Sequence, residues 1–381
     1  MADRYPPQEI YFPRPLSATE VERINDSLDG NSLGRPLTEP SRSGQVTVLA
    51  VAGADAAEVT TALRKDPRSA DAQISRIYRG ATDLLVGDFR AAGRSWGHGL
   101  LFTPLDGAKS GDIGVSMEPV WDGAYRRPLP PWDPPKDHRA PVIALLDSGV
   151  LDHEQLPPRG AAVLFVAEES QTSLPNAQLR KSDDHVKMAY GHATFIAGLI
   201  RMQAPTAQVW SHQIMDSSGH ITEAALVDAL DKLIEYRRGG NRLDVVCMAF
   251  GEHLDPGEEP PAVLRDKLSI LAGQRGVRLV AAAGNAGTDE PVYPAAFAQD
   301  IARLDSVGAG PSSDDRDFYS GYGKWVTCWR DGTATSIMPR RPDDLPAGEH
   351  EYPFPCDGWA QWQGTSFAVA RRAAELAKEA A

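Results

Sequence analysis

Three side chains of the kinds that cooperate in acyl transfer stand far apart in this chain: Asp147 at the end of an apolar run, His192 after a glycine, and Ser366 between small residues and a strong helix former. Serine is a poor nucleophile near neutral pH unless a base takes its proton, and an imidazole with an unperturbed pKa of ~6.5 suits that task. A carboxylate on the other ring nitrogen would fix the tautomer and stabilise the imidazolium. Ser366 lies in Gly364-Thr365-Ser366-Phe367-Ala368-Val369-Ala370, and the sequence from there to Ala381 is rich in Ala, Leu, Lys and Glu. Gly364 permits a tight turn, and free N–H groups at a helix start favour negative charge. The serine therefore offers both an attacking oxygen and an oxyanion donor. Asn285, in Gly284-Asn285-Ala286-Gly287, could aim an amide at the same oxyanion. Taken singly, each residue has a plainer role: a helix cap for Ser366, turn formers for Asp147 and Asn285, a structural histidine for His192.

The elements that must position these groups follow from periodicity. From Pro141 onward, apolar runs over 142–146, 208–215, 244–250 and 277–283 alternate with helical patterns. One helix is opened by His192 and striped by Phe195, Ile196, Leu199 and Ile200. A second is capped by Thr222 and carries Leu226, Leu230, Leu233 and Ile234, and a third spans 261–274. This alternation predicts an α/β fold, doubly wound, with a mainly parallel sheet covered on both faces. Asp147 and Asn285 then fall just past strand carboxyl ends, where ligands bind in open α/β sheets. Upstream, a capping box at Ser17-Ala18-Thr19-Glu20, strands over 46–51, 72–78 and 84–89 and a helix over 56–65 predict a small α+β domain within residues 1–127. A proline-rich linker over 128–140 separates it from a domain spanning 141–381.

Composition narrows the partners. With 42% hydrophobic and 24% charged residues the 381-residue chain is an ordinary globular protein, and a net charge of −13 argues against nucleic acid or an anionic membrane while leaving a basic peptide open. Cys247, Cys328 and Cys356 lack metal-ligand spacing and are expected to be reduced thiols. Residues 1–16 contain no apolar stretch of the kind that begins a secretory signal, so a cytoplasmic location is expected. Asp152-His153-Glu154 and Asp314-Asp315-Arg316-Asp317 form no specific ligand pattern, and no metal or cofactor is expected.

Four ordered blocks carry a resemblance: Leu145-Leu146-Asp147-Ser148-Gly149-Val150; Gly191-His192-Ala193-Thr194-Phe195-Ile196-Ala197-Gly198; Val280-Ala281-Ala282-Ala283-Gly284-Asn285 with Tyr293-Pro294-Ala295; and Gly364-Thr365-Ser366. Over residues 141–381 the chain resembles the subtilisin-like serine proteases, or subtilases, in which the triad order is Asp, His, Ser. The resemblance implies a serine endopeptidase acting on protein or peptide substrates: Ser366 attacks, His192 shuttles the proton, Asp147 orients it, and Asn285 with the Ser366 N–H holds the oxyanion. It also implies that an extended substrate pairs with the edge formed by Ala249, Phe250 and Gly251, followed by Glu252, and that Ala283 and Gly284 border the pocket for the residue before the cut. The rival is a latent or catalytically silent peptide-binding regulatory protein on the same fold.

Departures from the family pattern are specific. Ala193 stands where glycine is usual and Ala370 where proline is usual, and a long polar segment over 330–363 is either a lid or a disordered insertion. Glu252, Asp255, Glu258 and Glu259 follow the substrate edge and predict a preference for basic residues near the cut. The N-terminal α+β region resembles the segment that assists folding and blocks the site in this family. It is either released by a cut in or near the proline linker or retained. Retention is expected, because the chain stops soon after its serine helix and Trp121 and Trp132 flank the linker as anchors. A partner protein covering the short C-terminus, or engaging the N-terminal domain, is the remaining expectation.

Overall fold

The computed structural model describes residues 9–29, 33, 36–37, 41–43, 46–52, 55–80, 128–131, 140–151, 153–156, 163–165, 189–215, 219–254, 257–339 and 358–381. In chain order they form β1 (Glu9–Phe12), α1 (Ala18–Asp29), β2 (Ser41–Ser43), β3 (Val46–Ala50), α2 (Ala56–Leu63), β4 (Gln73–Ile74), β5 (Ile77–Gly80), β6 (Val142–Asp147), β7 (Val163–Phe165), α3 (Ala189–Gln203), β8 (Gln208–Gln213) and β9 (His220–Thr222). There follow α4 (Glu223–Arg238), β10 (Val245–Met248), β11 (Phe250–His253), α5 (Ala262–Gly273), β12 (Arg278–Ala282), β13 (Val292–Tyr293), β14 (Leu304–Ala309), β15 (Cys328–Arg330), β16 (Thr333–Ile337), β17 (Trp359–Gln363) and α6 (Thr365–Glu379).

Seven strands make one sheet in the order β15-β14-β12-β10-β6-β8-β7, with every pairing parallel. Side chains alternate across a strand, so a sheet covered on both faces needs apolar residues at every position. In β6, Ile143 and Leu145 join the core that contains α3 and α6, while Val142, Ala144 and Leu146 join the core that contains α4 and α5. Val245 and Cys247 against Val246 and Met248 repeat this alternation in β10. The fold is a doubly wound α/β sheet. Its winding reverses at β6, which has β8 on one side and β10 on the other, and Asp147 ends that strand. The apolar residues of α6, among them Phe367, Val369, Ala373, Ala374 and Leu376, are buried in the chain's own core.

The N-terminal unit is an antiparallel sheet, β2-β3-β1-β4, with α1 and α2 on one face. Ser17 and Glu20 form the reciprocal capping box: the Ser17 N–H donates to Glu20 Oε2 at 2.8 Å and the Glu20 N–H to Ser17 Oγ at 3.3 Å. Ile10, Phe12 and Leu49 face the unit's own core, and Tyr11 and Val46 face the other way, packing on Ala224 and Val227 of α4. Past β4 the chain leaves this sheet. β5 enters a third sheet, β13-β11-β5-β9, in which β11 and β9 both pair with it antiparallel.

Three local expectations change. The run over 72–78 is two strands in two different sheets, because Ile74 pairs with Ile10 whereas Ile77 pairs with Thr222. The proline-flanked N-terminus holds a strand, β1, whose Ile10, Tyr11 and Phe12 are wholly buried. The polar segment over 330–363 has structured arms: β15 joins the large sheet, and β16 and β17 pair antiparallel from Thr333↔Gln363 to Ile337↔Trp359. Its middle, 340–357, lies outside the described residues, as do the expected strand over 84–89 and Trp121 and Trp132. Pro128–Pro131 at the start of the linker region packs on the large unit, with Leu129 buried in its core and the Pro130 carbonyl accepting from Arg201 of α3 at 2.8 Å.

His212 on β8 sits beside Leu146 of β6. Burial pushes its imidazole down to about 4, with Lys232 adding to the effect and Asp228 opposing it. The unfolded chain gains this proton below about pH 6.5 while the folded chain does not, so stability from this group is complete above that pH and falls as the pH drops towards 4, by on the order of 3 kcal/mol. Urea unfolding of the His212→Gln variant at pH 7 and 4.5 is therefore expected to lose less stability between the two pH values than the parent, by about 2 kcal/mol; identical losses would contradict this account.

Candidate active site

Asp147 is wholly buried at the carboxyl end of β6. Its Oδ1 accepts from the Ser148 N–H at 2.7 Å, and both carboxylate oxygens lie 2.9 Å from His192 Nδ1. A carboxylate only accepts, so His192 carries its proton on Nδ1, and Nε2 is the nitrogen left to act as a base. His192 occupies the first turn of α3. That turn is fixed against the Asp147 loop by bonds from the Ala193 N–H to Ser148 Oγ (3.2 Å) and from the Leu151 N–H to Thr194 Oγ1 (3.0 Å), and the loop is held to β8 by the Val150 N–H donating to Ser211 Oγ (2.8 Å). The imidazole packs edge-on against Trp362 at 5.5 Å between ring centroids and against Phe367 at 5.8 Å. His192 Nε2 is buried and makes no hydrogen bond. A buried polar atom without a partner costs about 1–3 kcal/mol. Cys247, the nearby thiol on β10, is pushed far up by burial and by the Asp147 charge, so it stays protonated and is no competing nucleophile.

Ser366 is wholly buried as the second residue of α6, and the residue in the N-cap position is Gly364, at φ 155°. Ser366 therefore does not cap this helix. A φ of that kind is close to glycine-only, and it lets β17 turn directly into α6. The Thr365 N–H and Oγ1 both donate to Asn285 Oδ1 at 2.9 Å, which turns the donor end of that amide, Nδ2, to the opposite side. The first N–H groups of a helix have no intrahelical acceptor, so those of Thr365 and Ser366 point out of its end: one holds Asn285 and the other is available to an oxyanion. Ser366 Oγ itself donates to the Ala249 carbonyl at 3.0 Å.

The expected substrate edge borders this centre. Ala249 links β10 to β11, Phe250 pairs with Gly80, and Gly251 pairs with Arg79, so residues of the chain's own N-terminal region lie along that edge. Glu252 and His253 pair on the other side with Tyr293 and Val292 of β13. Ala283 and Gly284 are buried between β12 and Asn285, where the Gly321 N–H donates to the Gly284 carbonyl at 2.9 Å. Glu252 is half-buried, Glu258 and Glu259 are exposed, and Asp255 lies outside the described residues. Among the described residues no group of three or more His, Cys, Asp or Glu side chains is placed to hold a metal ion. Asp317 instead accepts from the Tyr319 hydroxyl at 2.7 Å, and Arg316 stacks over Tyr322 at 3.8 Å. Sequence reasoning missed Ser148 and Thr194, which fix the histidine's turn, Ser211, which holds the Asp147 loop to β8, and Trp362, which packs on the histidine. Ser148 and Thr194 stood inside the quoted blocks. Trp362 stood in the segment read as polar insertion.

The family model described as the subtilase family matches residues 138–379. Subtilisin Savinase of Lederbergia lenta is 29% identical over 190 residues, 48% of this chain and 60% of that protein. An alkaline protease of Shouchella clausii is 29% identical over 190 residues, 48% of this chain and 42% of that protein. The minor extracellular protease Epr of Bacillus subtilis (strain 168) is 32% identical over 172 residues, 42% of this chain and 22% of that protein. The chain thus spans 60% or less of the length of these relatives. A crystal structure of a cold adapted subtilisin-like serine proteinase superposes with a TM-score of 0.44 at 21% identity, covering 62% of this chain and 74% of that one.

Gly321 is packed so closely that a Cβ there would lie 2.0 Å from the Ala283 carbonyl oxygen. Gly321→Ala must push the Ala283–Gly284 wall towards Asn285, and overpacking of this kind costs about 1–3 kcal/mol. The variant is expected to show a lower urea midpoint; an unchanged midpoint would mean that the loop around Gly321 yields freely.

Proposed function

The chain belongs to the subtilase family, and on that premise we propose that it is a serine endopeptidase that cuts protein or peptide substrates through an acyl-enzyme. The observation that carries this reading is the buried Asp147–His192 pair, with Nδ1 held by both carboxylate oxygens and Nε2 left bare beside the start of the Ser366 helix. In this reading Ser366 Oγ exchanges the Ala249 carbonyl for Nε2 as its hydrogen-bond acceptor. Nε2 takes the hydroxyl proton as Oγ bonds to the substrate carbonyl carbon, and the carbonyl electron pair moves onto oxygen, held by the Ser366 N–H and Asn285 Nδ2. Collapse expels the amine, which leaves with the proton from Nε2. Water then repeats the sequence on the ester and frees the acid.

A second reading, a latent peptide-binding protein, is favoured by two observations: Ser366 Oγ is engaged by Ala249, and β5 occupies the edge at Phe250 and Gly251. We combine the two readings. The enzyme is restrained by its own N-terminal unit, whose strand β5 lies where an extended substrate would lie. The strand ends at Gly80, opposite Phe250 and next to Ala249, whose carbonyl accepts from Ser366. This reading puts self-cleavage there and not in the 128–140 linker. The N-terminal unit then stays docked through α4. The cytoplasm remains our proposed compartment, on the charge and cysteine usage of the chain.

Ser366→Ala is expected to fold normally and to lose turnover by on the order of 10⁶, the size of loss that follows removal of a serine nucleophile. Fluorophosphonate labelling of the parent at Ser366, with none in the variant, checks the assignment, and peptidase activity retained in the variant would sink it. Intact-mass analysis of the purified parent is expected to give a cut within a few residues after Gly80 and none in Ser366→Ala. Cleavage confined to 128–140 would instead return the boundary to the linker.

A further inference from the structure

Glu223, the first residue of α4, is wholly buried, although glutamate is seldom fully buried unless paired. Oε1 accepts from the Tyr11 hydroxyl at 2.7 Å and Oε2 from Arg76 Nη1 at 3.0 Å. The Glu223 N–H donates to the Arg76 carbonyl at 2.6 Å. Arg76 also donates through Nη2 to the Glu259 carbonyl at 3.2 Å, and the Ala224 N–H donates to Ser75 Oγ at 3.3 Å. Backbone and side chain of one arginine are thus read together at one residue.

The position of that arginine gives the contact its meaning. Arg76 directly precedes β5, and β5 runs between β9 and β11 in the register Ile77↔Thr222, Arg79↔His220 and Phe250↔Gly80. The strand that delivers Arg76 to Glu223 therefore ends beside Ala249, whose carbonyl holds the Ser366 hydroxyl. A peptide that replaces β5 along β11 and β9 runs past both. Once β5 leaves, Glu223 loses its guanidinium partner and its N–H loses an acceptor, so the incoming chain is selected for restoring both.

We infer that Glu223 is a specificity-determining residue: it forms a subsite for an arginine carried by an extended peptide four residues before the residue that pairs with Phe250. The inference rests on the endopeptidase reading and names part of its substrate class. Arginine is favoured over lysine because its planar fork reaches the carboxylate of Glu223 and the carbonyl of Glu259 at once. Of the acidic run that follows the substrate edge, Glu259 takes part in this subsite through its backbone carbonyl.

The test uses the full-length chain and internally quenched peptides with the sequence of residues 74–86, carrying Arg, Gln or Glu at the position of Arg76. The expected kcat/KM order is Arg above Gln above Glu, with Arg over Gln by about tenfold or more, the scale of a charge-assisted hydrogen bond. In Glu223→Gln the Arg-to-Gln ratio is expected to fall close to one. Equal rates for the three peptides in the parent, or a ratio that survives in Glu223→Gln, would overturn the subsite. Should Glu223→Gln not fold, the parent decides by the three-peptide order and by the Arg-to-Glu ratio, which is expected to shrink as salt rises; a reversed order overturns the proposal. Absence of cleavage with Ser366 still reactive towards a fluorophosphonate counts against the subsite alone, whereas an unreactive Ser366 counts against the protease reading beneath it.

Discussion

A carboxylate sealed from water has to be satisfied, and in this protein Asp147 is satisfied almost entirely by what the site needs. Depriving a buried carboxylate of its hydrogen-bond donor costs a few kcal/mol, so the Asp147–His192 contact helps fix the helix α3 on the switch-point strand β6. Further layers depend on it. Ser336 of β16 donates to the Phe195 carbonyl at 2.8 Å, and Trp362 of β17 packs on both His192 and Phe195. β17 then runs straight into the Ser366 helix, which Thr365 ties to Asn285. Ser366, His192 and Asn285 come from elements far apart in sequence, and one packed wall surrounds the imidazole.

Much of this was legible in the sequence. The alternation of apolar residues in β6, β10 and β12 has a physical cause, two covered faces, and that cause produces the observed division between the two cores. Local chemistry was equally plain: Thr222 caps α4 by accepting from the Ala225 N–H, and Ser17 with Glu20 caps α1. Asp147, His192, Asn285 and Ser366 could be singled out by type and element end, and the four ordered blocks that resemble the subtilases tied them together.

What the sequence did not yield depends on partners distant in the chain. Nothing local tells Ile74 and Ile77 that they belong to different sheets, since both are β-branched residues in one run and the choice is made by Ile10 and Thr222. Glu223 reads as an ordinary acidic residue in a helix first turn, where the helix dipole favours it. Its burial comes from Tyr11 and Arg76, 212 and 147 residues away. The arms of the segment over 330–363 were hidden by the prolines and charges between them, while the residues that pair, Thr333 to Ile337 with Trp359 to Gln363, have ordinary strand composition.

The N-terminal unit thus meets the large unit through an apolar contact at Tyr11, Val46, Ala224 and Val227, through the polar contacts of Tyr11 and Arg76 with Glu223, and through a strand inserted along the edge at Phe250 and Gly251. The first gives docking without chemistry, and on the proposed reading the strand puts the chain's own backbone where a substrate would lie. Both hang on the centre at Asp147, His192 and Ser366 being able to act. A crystal structure of the full-length chain reacted with a peptide boronic acid tests that most directly. The account predicts a tetrahedral boron on Ser366 Oγ, one boronate oxygen at about 2.7–3.1 Å from both the Ser366 N–H nitrogen and Asn285 Nδ2, and the bond from Oγ to the Ala249 carbonyl broken. Boron bound elsewhere, or an adduct whose oxygen faces neither donor, would contradict it.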